Sequence, residues 1–206
     1  MLEADPTPAK IRLLNAALAR FRERGYTDTT VEDLCRAAGV TKGTFFHYFA
    51  SKEALARAAI QHWNEMTGAL FAGASYHHVA DPRERLLAYL DFRVQLVRGE
   101  LPEFTCLLGT LAQEVFASHP ALGAACGSGM DGHLRTLVPT IEAAKARYAP
   151  QADWSAESLA RHMQVVIQGS FVLAKALQTP QVVQEAIEHL KNYVEQLLPV
   201  KQKGTK

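Results

Sequence analysis

The stretch from Thr29 to Phe49 can fold in few ways. Val31, Leu34, Cys35 and Ala38 recur at the three- and four-residue spacing of one helix face, and Thr29 with Glu32 reads as a capping box at its start. Gly39 interrupts the pattern where a Cβ would obstruct a tight reversal. A second short helix is expected from Thr41 to about Phe49. Upstream, Ile11, Leu14, Leu18 and Phe21 place an apolar face on a helix from about Pro8 to Arg24, which Gly25 ends. Val31, Leu34, Val40, Phe45 and Phe49 then give three helices a common apolar centre, with Phe45 and Phe49 facing one side at i, i+4. The spacing predicts a helix-turn-helix whose second short helix offers its N-terminal end to a major groove.

Everything after it also reads as helix, so the expected fold is all-α. Ser51 caps a long helix with Glu53 in its first turn, running to about Gly73. A loop follows to Asp81, then helices over about 82–98, 102–118, 120–148, 156–178 and 181–198, with Pro102, Pro120 and Pro180 at starts. Pro139 inside the third of these should kink it, and Gly123, Gly127, Gly129 and Gly132 weaken it. The division expected is a DNA-binding domain over 1–52 and a sensing and dimerisation domain over 53–206. Lys201 to Lys206 reads as a solvated tail.

Charge does not carry the nucleic-acid reading. The formal net charge is +1; residues 1–57 hold nine Lys/Arg against seven Asp/Glu, leaving 13 against 14 in the remainder. The case rests on chemistry at named positions. Thr41, Lys42, Gly43 and Thr44 are small or cationic, so backbone can approach phosphate. His47 and Tyr48 add donors, and Lys52 sets a cation beside the free N–H groups of the next helix.

Cys35, Cys106 and Cys126 are odd in number and lack zinc-ligand spacing, so reduced thiols are expected, with Cys35 in the core. No apolar run approaches the about 18 residues of a membrane span. Met1 to Lys10, with Glu3, Asp5 and two prolines, lacks the layout of a secretory signal. A cytoplasmic protein without membrane contact, metal or cofactor is expected.

Residues 10–62 resemble the TetR family of regulators, most densely in Thr30-Val31-Glu32-Asp33-Leu34, in Ala37 through Phe49, and in Ser51-Lys52-Glu53. The resemblance implies that Thr30, Lys42, Gly43, Thr44, His47, Tyr48 and Lys52 meet double-stranded DNA. Phe46 stands where the family often has tyrosine, leaving only apolar contact with a thymine methyl or sugar. Phe104 through Glu114 and Ile167 through Ala176 resemble one branch of the family, in which the last two long helices pair with their symmetry mates. That implies a homodimer through about 156–178 and 181–198 on a pseudo-palindromic operator, with Val165, Val166, Phe171, Val172, Leu190, Val194 and Leu197 split between subunit core and partner, and Gly169 and Ser170 permitting close approach.

A small-molecule inducer is expected among the sensing helices. The candidate contacts are Trp63, Met66, Phe92, Phe104 and Phe116, together with His133, Met163 and Phe171, each of which could instead be core. Cys106 and Lys175 lie in apolar stretches; a nearby ammonium would make the thiol reactive, whereas a packed Cys106 and an outward-snorkelling Lys175 would be inert. His77-His78 reads as solvated surface. The expected function is therefore a DNA-binding repressor, not an enzyme, released by a small molecule or reactive electrophile. The alternatives are a helical enzyme with a vestigial helix-turn-helix, unsupported by any nucleophile, phosphate-loop or metal motif, and a DNA-bound interaction module without a small ligand.

Overall fold

A computed structural model describes residues 8–200, and among these every regular element is helical. The helices are α1 (Ala9–Arg24), α2 (Val31–Ala38), α3 (Lys42–Tyr48), α4 (Lys52–Ala72), α5 (Pro82–Gln95), α6 (Leu101–Phe104), α7 (Leu107–Val115), α8 (Pro120–Tyr148), α9 (Ala156–Leu177) and α10 (Gln181–Leu197), with a short 3-10 turn at Ser75–His78. No helix among the described residues is long and apolar enough to cross a membrane. The tail expected at 201–206 lies outside them.

The contacts define two compact units. One takes the described residues up to Gly68 together with Thr105–Met130; the other takes Ala69–Phe104 with Asp131 onward. The cuts fall inside α4 and α8, which run from one unit into the other.

In the first unit α1 packs on α2, α3 and α7. Leu13, Ala17, Phe21, Leu34, Phe45, Leu55, Ala59 and Leu111 are wholly buried at its centre. The apolar positions read from the sequence therefore converge, and burying each large side chain contributes about 1.5–3 kcal/mol. Gly39 takes the left-handed conformation, φ +61°, and its N–H returns to the end of α2. Arg12 Nε donates to the Ala38 carbonyl at 2.9 Å, satisfying a terminal acceptor of α2.

In the second unit α10 packs on α9 and α5. Asp81 caps α5 by accepting the Arg83 and Glu84 N–H groups, and buried Arg83 donates from Nε to the Leu198 carbonyl at 2.8 Å. One expectation needs correction. The helix expected over 102–118 divides into α6 and α7, because Thr105 and Cys106 leave helical geometry and Cys106 becomes the N-terminal cap of α7. The segment with Pro139 and four glycines is one helix, with Pro139 exposed. Proline there forfeits one backbone bond, and burial of Leu122, Cys126, Leu137, Ile141 and Ala144 along the same helix offsets it.

Candidate functional site

The outer face of α3 is built by what its inner face must do. Phe45 and Phe49 are buried, which leaves Lys42, Gly43, Phe46, His47 and Tyr48 exposed and Thr44 half-buried. Thr41 starts the helix by accepting the Thr44 N–H at 3.1 Å. Phe46 is 55% exposed and Tyr48 40%, an expensive arrangement on a seven-residue helix unless the face meets a partner. Phe46 is held edge-on against Phe45 at 5.1 Å, and His47 against Tyr48 at 4.8 Å. Exposed Lys42 pairs with Glu32 of α2, whose carboxyl is held below its ordinary range by that hydrogen bond.

Thr30 caps α2. Its hydroxyl accepts the Asp33 N–H at 3.1 Å, and Asp33 accepts the Thr30 N–H at 3.1 Å. The capping box is thus Thr30 with Asp33, one residue later than the Thr29–Glu32 pair read from sequence. Thr29 is fully buried and donates to the Gly25 carbonyl at 2.7 Å.

Lys52 differs from the other residues expected at DNA. Its ammonium donates to the carbonyls of Tyr26 at 2.8 Å, Thr29 at 2.9 Å and Thr27 at 3.4 Å, and lies 4.3 Å from the Tyr26 ring centroid. Three carbonyls match its three donors. Burial lowers its pKa, with Glu114 and Asp28 opposing that shift. The N–H side of the same loop belongs to Glu114 of α7, which accepts from Tyr26 and Thr27 at 2.6 Å each. Burial alone would raise the Glu114 pKa; these hydrogen bonds and the Lys52 charge outweigh it, and the net shift is downward. Gly25 completes the clasp. Its φ is +85°, and a Cβ there would lie 2.6 Å from Glu114 Oε2. Sequence reading missed this arrangement. A lone glutamate on an apolar helix after a glycine loop was its only trace.

The residues expected to sense a ligand fall in both units. In the first, Trp63 is half-buried with Arg22 5.0 Å from its ring centroid, and Cys106 is half-buried. Met66 is 46% exposed and Phe116 71%, so neither lines the interior of that unit. In the second, Met163 and Phe171 are core, and Phe104 meets Phe171 at 6.4 Å. His133 joins Phe92 in a ring cluster through Phe71, at 4.6 and 5.6 Å. Lys175 is half-buried near the C-terminal end of α9, where the helix dipole favours a cation. Two buried polar atoms lack any hydrogen-bond partner among the described residues: Thr105 Oγ1 and Gln168 Nε2. Among the described residues no group of three or more metal-ligating side chains gathers.

A tripod of helices presenting a short capped helix with an unburied aromatic and cationic face, followed by a larger helical body, defines a helix-turn-helix regulator. Residues 13–59 match the model of bacterial regulatory proteins of the tetR family, and residues 82–190 match the Tetracyclin repressor-like C-terminal domain. The chain belongs to the TetR family and is a DNA-binding transcriptional regulator. It is 26% identical to the transcriptional regulator AcuR of Cereibacter sphaeroides, over 83% of this chain and 78% of that protein. It is 24% identical to the transcriptional repressor NemR of Escherichia coli K12, over 84% and 86% of the two chains. A regulatory protein TetR from Rhodobacter sphaeroides, 24% identical, shares the fold with a TM-score of 0.81 over 91% of this chain and 99% of that one.

Proposed function

We propose that the chain is a cytoplasmic, non-enzymatic repressor. Its homodimer binds a pseudo-palindromic operator through Lys42, Gly43, Thr44, Phe46, His47 and Tyr48, and a small molecule releases it. The observation that carries this reading is the outer face of α3, which the core does not use and which joins a cation, small residues and two exposed rings. Lys42 exchanges Glu32 for phosphate on binding, a cheap exchange because an exposed pair contributes about 0–1 kcal/mol. Thr30 and Lys52 act behind that face by fixing the start of α2 and the loop before it.

The exposed half of α9 supports the dimer. Val165, Gly169, Val172, Leu173 and Leu177 lie open along one side, and Tyr193 of α10 is open too. Phe171, Leu190 and Val194 are spent on the subunit's own core, as is Ser170. A two-helix apolar face with a glycine at its centre fits a symmetric four-helix contact.

The unpartnered Thr105 Oγ1, in the turn just before α7, favours a ligand that supplies the missing hydrogen bond. Release follows if that ligand prefers a state in which α7 has shifted. The clasp from Glu114 would then loosen the loop that positions α2 and α3, a coupling that lasts only as far as the ligand distinguishes the two states.

An electrophile would act at the same helix, because Cys106 is the half-buried cap of α7. Its thiolate would add to an electron-poor double bond, forming a carbon–sulfur bond while the adjacent carbon takes a proton from solvent. N-ethylmaleimide should release wild-type protein from DNA and spare Cys106→Ser; equal release of both would remove Cys106 from the reading.

The overall test is selection of bound duplexes from random DNA. A recovered site with two-fold symmetry and half-sites about one helical turn apart is expected. Sequence-indifferent recovery, or turnover of a substrate without DNA binding, would contradict it.

A further inference from the structure

The ring cluster of the second unit contains a cation and a hydroxyl that the chain itself does not use. Arg93 lies on α5, half-buried, with its guanidinium carbon 5.4 Å from the Phe71 ring centroid. No carboxylate among the described residues pairs with it. Tyr89, on the same helix, is wholly within the unit, and its phenol meets His133 Nε2 at 3.0 Å. Tyr76 is only 6% exposed, packed edge-on against Tyr89 at 5.5 Å and tilted on Phe92 at 5.8 Å. Its hydroxyl makes no hydrogen bond within the described residues, yet it is not sealed from solvent access.

A guanidinium withdrawn from bulk water is ordinarily matched by an anion, because leaving its charge unpaired costs desolvation energy. Here the protein supplies neutral groups only. Burial and the neighbouring Arg93 push His133 down to about 4, so near neutral pH it is an uncharged acceptor and cannot serve as a second cation. Burial pushes Tyr76 up to about 12, which keeps its hydroxyl a donor. The cluster therefore offers one fixed positive charge, one spare hydroxyl donor and aromatic walls. Guanidinium forks fit carboxylates in two-point geometry, and the rings would receive an apolar body.

We propose that Arg93 and Tyr76 form the anion-recognising end of the sensor site, and that the molecule sensed is a small organic monocarboxylate whose apolar body packs on Phe71 and Phe92. This rests on the reading of the second unit as a ligand sensor and specifies its ligand class. The carboxylate takes the guanidinium donors of Arg93, and the Tyr76 hydroxyl donates to one of its oxygens. Tyr89 and His133 are positioning residues: their hydrogen bond fixes the phenol against which Tyr76 packs.

The test uses the full chain with butyrate, hexanoate, benzoate and phenylacetate, each beside its primary amide. Calorimetry and melting temperature read binding, and fluorescence anisotropy on the selected operator reads DNA release. At least one acid should bind and raise the melting temperature while its amide does not. Arg93→Gln should weaken that acid at least about tenfold, since it removes a charge-assisted pair. Arg93→Lys should recover part of the affinity, and Tyr76→Phe should weaken it about threefold to tenfold with the unliganded melting temperature unchanged. Acid and amide binding equally, Arg93→Gln binding as wild type, or none of the four acids binding would each overturn the proposal. An acid that binds through Arg93 without releasing DNA would leave the site standing and refute its role as the sensor. Release by neutral compounds alone, indifferent to Arg93→Gln, would preserve the sensor reading and refute this ligand class.

Discussion

Two lysines only ten positions apart do different work, and the difference is measurable. Lys42 is exposed on α3 and pairs only with Glu32, so it is available to phosphate. Lys42→Ala should weaken operator binding and shallow the salt slope by about one unit, with melting unchanged. Lys52 gives its donors to three loop carbonyls. Lys52→Ala should instead lower the melting temperature and weaken DNA binding with the salt slope intact; a slope reduced by about one would return Lys52 to the phosphate backbone. Glu114 is the matching anion. Replacing it by alanine strands the Tyr26 and Thr27 N–H groups, at a cost of about 1–3 kcal/mol by denaturant unfolding. The pH dependence follows from its lowered pKa. A carboxyl depressed in the folded state stabilises fully above its unfolded value, and that contribution is lost as pH falls through the folded value. The gap in stability between wild type and Glu114→Ala should therefore be widest near neutrality and close in acid. A gap that widens in acid would reverse the assignment. Gly25→Ala should destabilise as well, since a Cβ would meet the same carboxylate and occupy a left-handed backbone.

At the level of elements, α9 separates two kinds of apolar residue that sequence periodicity merges. Val165 is 68% exposed, whereas Val194 on α10 has no exposure. Val165→Asp or Gly169→Glu should yield folded monomers in sedimentation, while Val194→Asp should unfold the subunit by burying an unpaired charge. Folded dimers of the first two variants would place the interface elsewhere. The same contrast explains what was legible from the chain alone. The helices around Gly39 were readable because caps, a breaker and a single apolar stripe are local signals; even there the cap fell on Thr30, because the buried Thr29 hydroxyl turns back to Gly25. The break between α6 and α7 was not readable, since Thr105 and Cys106 are not breaking residues and tertiary packing sets their geometry. Nor was the clasp, in which Glu114 reaches Tyr26 across 88 positions. The cluster at Arg93 was half visible: Phe92 and His133 stand out by type, but only the fold sets Tyr76 and Tyr89 beside them.

For the whole molecule, the account says that one short helix per subunit reads DNA and that everything else sets where the two such helices stand. α4 and α8 run between the units, and Glu114 on α7 holds the loop that carries α2. Under the proposed function, a ligand would bias the reading helices with a coupling of the usual size of about 1–3 kcal/mol. The central claim, dimeric groove reading by α3, is tested most directly by anisotropy titrations of the purified chain across a salt series. The duplexes would be a selected full site, a single half-site and a full site with its two halves moved apart by half a helical turn. The account predicts strong, steeply salt-dependent binding to the full site, marked loss on the half-site and on the respaced duplex, and loss of discrimination with Lys42→Ala combined with Tyr48→Ala. Equal affinity for all three duplexes, unaffected by those substitutions, would contradict it.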